Sequence, residues 1–238
     1  MKVITLGGLR IRLTGGSDRR GGGNGPLVIL LHGFGAPGDD LVPLSEAIKA
    51  PASTRWLFPE GPLSLDWGVG DSRAWWIIDF ARIQEDRAAG RIRDLSGEVP
   101  QGLALARERL LTFLKDLPGQ LPIDFRQTVI GGFSQGAMLT CDAVLHTDYP
   151  FAGLVQLSGN LLAESVWQPL VSRRKGLRVF QSHGTSDDIL PLVGAERLRD
   201  FLAHAGLLVE WHRFRGGHEI PESVLRQLGL FFAEVLGA

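Results

Sequence analysis

Five residues, Gly132-Phe133-Ser134-Gln135-Gly136, carry the strongest chemical signal in the chain. An apolar, strand-like run over residues 127–132 leads into them, and a helical pattern starts at once behind them. A serine on a sharp strand-to-helix turn of the form G-x-S-x-G holds its hydroxyl out from the sheet, in the position of a nucleophile. The glycines two places to either side are demanded by a turn so tight that side chains there would collide. The helix behind the serine aims unpaired N–H groups and its positive dipole end at any anion formed there. The chain holds 31 glycines, so five letters alone can arise by chance. The strand before and the helix after them single out Ser134.

A serine hydroxyl needs a general base, and the base needs a carboxylate to orient it. Behind such a turn the order is serine, acid, histidine, with acid and base on loops that follow later strands. That order prunes the six histidines. His32 and His183 stand at strand ends followed by glycine, ahead of where the base belongs; His146 and His204 fall late in helical patterns, and His212 within a strand pattern. His218 differs: in "FRGGHEIP" it follows the last strand on a Gly-Gly loop, where it can swing over the sheet edge. For the acid, "RVFQSHGTSDDILP" offers Asp187 and Asp188 behind a strand over 177–183. Only one can face His218; the other is expected to cap or solvate the helix that begins near Pro191.

A second stretch, "LVILLHGFGAPGDD" (27–40), admits two chemistries. Gly33, Gly35 and Gly38 follow an apolar run in the G-x-G-x-x-G spacing of a dinucleotide-binding turn, with Glu60 available as the ribose-binding acid. The same letters contain His-Gly-Phe-Gly, which a serine hydrolase could use to hold a developing oxyanion. Against an oxidoreductase, Pro37 precedes the third glycine, and Asp39-Asp40 would set negative charge against a pyrophosphate. Those aspartates suit the N-terminal cap of a helix over 40–49. A dinucleotide enzyme also leaves Ser134, Asp187 and His218 without a task.

The elements that must position these residues follow from periodicity. Residues 3–6 and 9–14 flank a Gly-Gly turn as an edge hairpin, and the glycine-rich patch 15–25 reads as a flexible connection. Apolar runs at 27–32, 54–58, 127–132, 153–158, 177–183 and 208–214 read as strands; several lack alternation, as expected for parallel strands covered on both faces. Helical patterns lie at 40–49, 101–117, 135–147, 191–206 and 221–236. Such alternation predicts one α/β domain over residues 1–238 with a mostly parallel sheet.

Residues 61–100 break the rhythm and read as a lid or pocket wall. Trp67, Trp75, Trp76 and Phe80 lie there as candidates to line an acyl pocket. Adjacent tryptophans on an extended chain point to opposite faces, so at most one of Trp75 and Trp76 is expected to face substrate. Lone Cys141 forms no intrachain disulfide and reads as core packing. With 25 basic and 26 acidic residues, no global field recruits nucleic acid or an anionic membrane. The clusters Arg19-Arg20 and Arg173-Arg174-Lys175 read as solvated loop charge. No stretch has the length of a membrane span and no signal-peptide core opens the chain, so a cytoplasmic location without membrane insertion is expected.

Together the motifs "HGFG" (32–35), "FPEGP" (58–62), "RAWW" (73–76), "GGFSQGA" (131–137), "LSG" (157–159), "HGTSDDILP" (183–191) and "GGHEI" (216–220) resemble the phospholipase/carboxylesterase family of α/β-hydrolases, which includes bacterial carboxylesterases and acyl-protein thioesterases. The resemblance implies an α/β-hydrolase fold and a serine esterase acting on small ester substrates of short-to-medium acyl chain, with thioester or lysophospholipid hydrolysis as the alternative. It implies Ser134 as nucleophile, His218 as base and Asp187 rather than Asp188 as acid, and the backbone N–H groups of Phe34 and Gln135 as the oxyanion hole. It implies neither metal nor cofactor. Where the family often carries an acidic residue, this chain has Thr185.

Overall fold

The computed structural model describes residues 1–65, 71–79, 85, 88 and 94–237. Its strands are β1 (Lys2–Leu6), β2 (Leu9–Gly16), β3 (Arg20–Gly22), β4 (Leu27–Leu31), β5 (Arg55–Pro59), β6 (Leu63–Leu65), β7 (Ser72–Ala74), β8 (Thr128–Phe133), β9 (Gly153–Leu157), β10 (Arg178–Gly184) and β11 (Leu208–Phe214). The helices that matter here are α1 (Leu44–Ala47), α2 (Leu103–Asp116), α3 (Gln135–Leu145), α4 (Glu164–Trp167), α5 (Leu192–His204) and α6 (Glu222–Leu236). Nine strands form one sheet in the order β1-β2-β5-β4-β8-β9-β10-β11, with β3 against β2, while β6 and β7 form a separate pair. From β5 to β11 all neighbours are parallel; the β1–β2 hairpin and the β2–β5 pairing are antiparallel.

Strand β4, LVILL, shows why so apolar a run folds as a central strand. Leu27, Ile29 and Leu31 belong to a core shared with α2, α3 and α5, while Val28 and Leu30 belong to a core shared with α6. Both faces of the sheet are therefore covered by helices, and every residue of β4 is buried. Helix α6 contributes Val224, Leu228, Phe231 and Phe232, a stripe at i, i+4, i+7 and i+8. Helix α3 runs through the middle of the molecule with all its residues buried. Cys141 lies on it, wholly buried, its thiol pushed up in pKa chiefly by burial and further by Asp142 beside it.

Three local expectations change. Helix 40–49 shrinks to the single turn α1 behind tight turns at 39–43. Pro43 has no N–H to donate to Asp39, and the segment before it is held by three-residue turns, Val42 N–H to Asp39 and Leu44 N–H to Leu41, rather than by a continuous helix from Asp40. Pro43 caps α1 without a side-chain bond; Asp39 instead accepts the Val42 N–H through its backbone carbonyl at 3.0 Å. The patch 15–25 is an ordered turn: β3 pairs with the end of β2, and the Asp18 carboxylate accepts the Arg20 and Gly22 N–H groups at 2.7 and 2.9 Å. Its glycines supply positive φ at 15, 16, 21 and 23 rather than a loose linker. In the 173–175 cluster, Arg174 donates to the Thr147 and Tyr149 carbonyls at 3.1 and 2.6 Å, tying down the chain behind α3 instead of merely carrying solvated charge.

Candidate active site

Ser134 sits between β8 and α3 with φ 54° and ψ −118°, outside the regions an L-residue ordinarily occupies. Its N–H donates to the Leu157 carbonyl of β9 at 2.8 Å, which helps hold the strained turn in place. The flanking glycines are steric necessities. A Cβ on Gly132 would crowd the Leu31 carbonyl and the backbone of Gly136, and one on Gly136 would press into the Leu31 and His32 carbonyls. The elbow thus packs directly on the C-terminal end of β4. The loop that follows β4 then passes close to the serine: a Cβ on Gly33 would lie 3.3 Å from that of Ser134.

The acid and histidine loops are stitched together at the ends of β10 and β11. The Thr185 N–H donates to the Phe214 carbonyl and the Ser186 N–H to the Gly216 carbonyl, each at 2.9 Å. Gly184 permits this approach, since a Cβ there would strike the Gly216 and Gly217 carbonyls. The result is a 2.7 Å hydrogen bond between His218 Nδ1 and Asp187 Oδ2. Asp187 Oδ1 accepts two backbone N–H groups, from Ile189 at 2.9 Å and Leu190 at 2.8 Å. Burial pushes the Asp187 carboxyl upward, but the His218 bond, the Leu190 N–H and the nearby imidazoles outweigh it and hold it below its ordinary value. Asp188 is exposed. The His218 ring rests 4.7 Å from that of Phe133, the residue just before the serine.

Ser134, His218 and Phe34 border one cavity of about 1170 Å³. Gln135 is the first residue of α3, so its N–H is among the donors that a helix start leaves without an intrahelical acceptor. Both Trp75 and Trp76 border the cavity, and both are almost fully buried. The expectation that only one of them faces it falls because they lie on a bend behind β7, where strand alternation does not apply. Trp67 and Phe80 lie outside the described residues, as does most of the 80–93 stretch. Within 61–100, Pro62, Leu63, Leu95 and Pro100 also contribute to the cavity wall.

Several positioning contacts carry no signature in the sequence. The Gln135 side chain reaches across the site, accepting the Trp75 N–H at 2.9 Å and donating to the Trp76 carbonyl at 2.8 Å. His32 accepts the Gly61 N–H on Nε2 at 2.9 Å, so its proton sits on Nδ1 and is donated to the Gly33 carbonyl at 2.7 Å. Burial lowers the pKa of this ring and keeps it neutral. Arg73 fastens the next residues, its carbonyl accepting the Gly35 N–H at 2.8 Å and its N–H donating to Ala36 at 3.0 Å. Beneath them Glu60 is buried and paired with Arg12 at 2.6 Å and Arg73 at 3.1 Å.

These contacts leave the dinucleotide alternative without support. Glu60 is committed to arginines, Gly38 packs against the Glu60 side chain, and no long helix follows the glycines. Among the described residues, no group of three or more His, Cys, Asp or Glu is placed to hold a metal ion. Among the same residues, no helix is long and apolar enough to cross a membrane.

The architecture and the matched sequences agree. An acyl-protein thioesterase 1 of Debaryomyces hansenii is 27% identical over 218 residues, which cover 88% of this chain and 90% of that protein. Esterase PE8 is similar in structure, with a TM-score of 0.76 at 25% identity over 99% of this chain and 100% of its own. A carboxylesterase from Mesorhizobium loti shares the fold, with a TM-score of 0.77 at 18% identity over 98% of each chain. The phospholipase/carboxylesterase family itself matches residues 22–236, a span that takes in the serine turn, the acid loop and the histidine loop. The chain belongs to the phospholipase/carboxylesterase family of α/β-hydrolases.

Proposed function

We propose that this protein, a serine ester hydrolase, cleaves carboxylic esters of short-to-medium acyl chain by way of an acyl-enzyme on Ser134. With Nδ1 of His218 engaged by Asp187, Nε2 is the nitrogen left to take the serine proton. The serine oxygen attacks the ester carbonyl, and the negative charge on the carbonyl oxygen is met by the N–H groups of Phe34 and Gln135. One such donor is worth about 3 kcal/mol of barrier. His218 returns the proton to the departing alcohol, and water, activated by the same ring, then releases the acid. Asp187 stays ionised throughout and steadies the imidazolium. No step needs a metal or cofactor, and the acyl chain lies along the wall of Trp75 and Trp76.

The observation that carries this reading is the 2.7 Å His218–Asp187 bond at the rim of the cavity that Ser134 borders. A thioesterase reading draws on the similarity to acyl-protein thioesterase 1; the same steps would expel a thiolate. Lysophospholipid hydrolysis is a further member of the same chemistry. We place the protein in the cytoplasm, since Cys141 is a buried core residue that needs no oxidising compartment. Ser134→Ala is expected to abolish hydrolysis of p-nitrophenyl butyrate while leaving the circular-dichroism spectrum unchanged. Retained turnover would end the assignment. Matched esters and thioesters of rising chain length rank the substrates; faster thioester than ester turnover at every length would favour the second reading.

A further inference from the structure

A second histidine touches the acid. His183, the sixth residue of β10, is completely buried. Its Nε2 lies 2.7 Å from the Leu190 carbonyl and 3.3 Å from Asp187 Oδ2, the oxygen that also bonds His218. Both neighbours are acceptors, so the proton of this ring sits on Nε2. Nδ1 is buried with no hydrogen-bond partner among the described residues. An apolar side chain would fill this core position without leaving a buried nitrogen unsatisfied. The geometry therefore gives the ring a task that only its Nε2–H performs.

We propose that His183 is a positioning residue of the reaction, clamping the acid loop from beneath and sharing Asp187 Oδ2 with His218. The inference rests on the triad assignment above. By donating to Leu190, His183 closes the turn whose two N–H groups hold Asp187 Oδ1. By facing Oδ2, it shares the carboxylate charge that His218 would otherwise meet alone. Burial, the largest influence on His183, lowers its pKa and leaves it a neutral donor. Among the described residues, the charged groups that act on His183 are Asp187 on the acid loop and, more weakly, Glu196 on α5; Glu219 on the histidine loop accepts the Gly217 N–H, and Asp79, Glu98 and Arg109 border the cavity that His218 borders.

Two substitutions separate this role from simple packing. His183→Leu fills the space without a donor, and His183→Gln keeps an N–H without a titrating ring. With p-nitrophenyl acetate, His183→Leu is expected to lose about 10–100-fold in kcat at little change in KM. The pH below which its kcat/KM falls is expected to rise by about half a unit, because Oδ2 then holds the imidazolium more tightly. His183→Gln is expected to recover most of both. Equal losses in the two variants with an unmoved pH limb, or a wild-type profile in His183→Leu, would overturn the proposal. Should the leucine variant not fold, nitrogen-15 spectra of the wild-type rings decide. His183 is expected to remain the neutral Nε2–H tautomer while His218 titrates, and an Nδ1–H tautomer or a charged ring would overturn the clamp. Ser134→Ala keeps the two claims apart, since an active alanine variant defeats the triad itself, whereas an inactive one beside an unperturbed His183→Leu defeats only the clamp.

Discussion

Asp187 and Asp188 are adjacent in sequence and opposite in circumstance. Asp187 is buried, takes two backbone N–H groups on one oxygen and faces His218 with the other. Asp188 is exposed. Asp187→Asn is therefore expected to lower kcat by about 10³–10⁴-fold, because an amide can donate to Nδ1 and so favour the wrong tautomer. Asp188→Asn is expected to stay within about threefold of wild type, the effect of removing an exposed, solvent-screened charge. Steady-state kinetics of the two variants check the ranking, and the reverse order would move the acid. Ser134 and His218 were legible because each stands on a loop at a strand end, where residue type and chain order suffice. The acid was narrowed only to an adjacent pair by the residues themselves, since which oxygen meets the imidazole depends on a three-residue turn. The amide of Gln135 and the ring of His183 were not legible as positioning groups, because their partners are backbone atoms or a loop carboxylate set by the folded chain.

The elements that carry the site are short and packed carbonyl against glycine. Helix α3 can start directly behind β8 only because Gly136 lets the Leu31 and His32 carbonyls come close. Gly136→Ala is expected to destabilise the fold by about 3 kcal/mol, the upper end of an overpacked core, which for a chain of this size is a fall of roughly 6–12 °C in Tm. An unchanged Tm would mean that the elbow is softer than this packing implies. The loop after β4 depends instead on charge. Glu60→Gln would leave Arg12 and Arg73 without their buried partner and is expected to cost about 3 kcal/mol in denaturant unfolding; a loss below about 1 kcal/mol would assign that loop's placement to His32 and the Arg73 backbone. The buried strands were plain in the sequence because unbroken apolar runs such as LVILL have few other destinations. The 40–49 spacing misleads because it is helical in period while Pro43 stands inside it, and β3, β6 and β7 carry no legible signal because three-residue strands have no period to detect.

At the scale of the whole molecule, acid stability and substrate turnover test the assembled picture. His32 and His183 are buried, and burial lowers both pKa values. The unfolded chain, with histidines titrating at about 6.5, binds protons that the folded one refuses. Stability is thus fully present above that pH and is lost as pH falls below it toward the folded values. Unfolding somewhat below pH 6.5 is expected to take up protons at these rings, read from the buffer dependence of the calorimetric enthalpy; an uptake near zero would mean that neither pKa is lowered in the folded chain. Asp187, shifted downward, adds stability that persists until the pH drops through the carboxylate range. The cavity, lined by residues of α2 and α3 and by described residues of the 61–100 stretch, is shared by the serine turn, the acid loop and the histidine loop. The central claim is that an ester transfers its acyl group to Ser134. The most direct measurement is rapid mixing with p-nitrophenyl butyrate, followed by acid quench and peptide mass analysis. The account predicts a burst of about one p-nitrophenolate per chain with a butyryl adduct on the Ser134 peptide, both absent in Ser134→Ala. A burst that survives in Ser134→Ala, or an adduct on another residue, would contradict it.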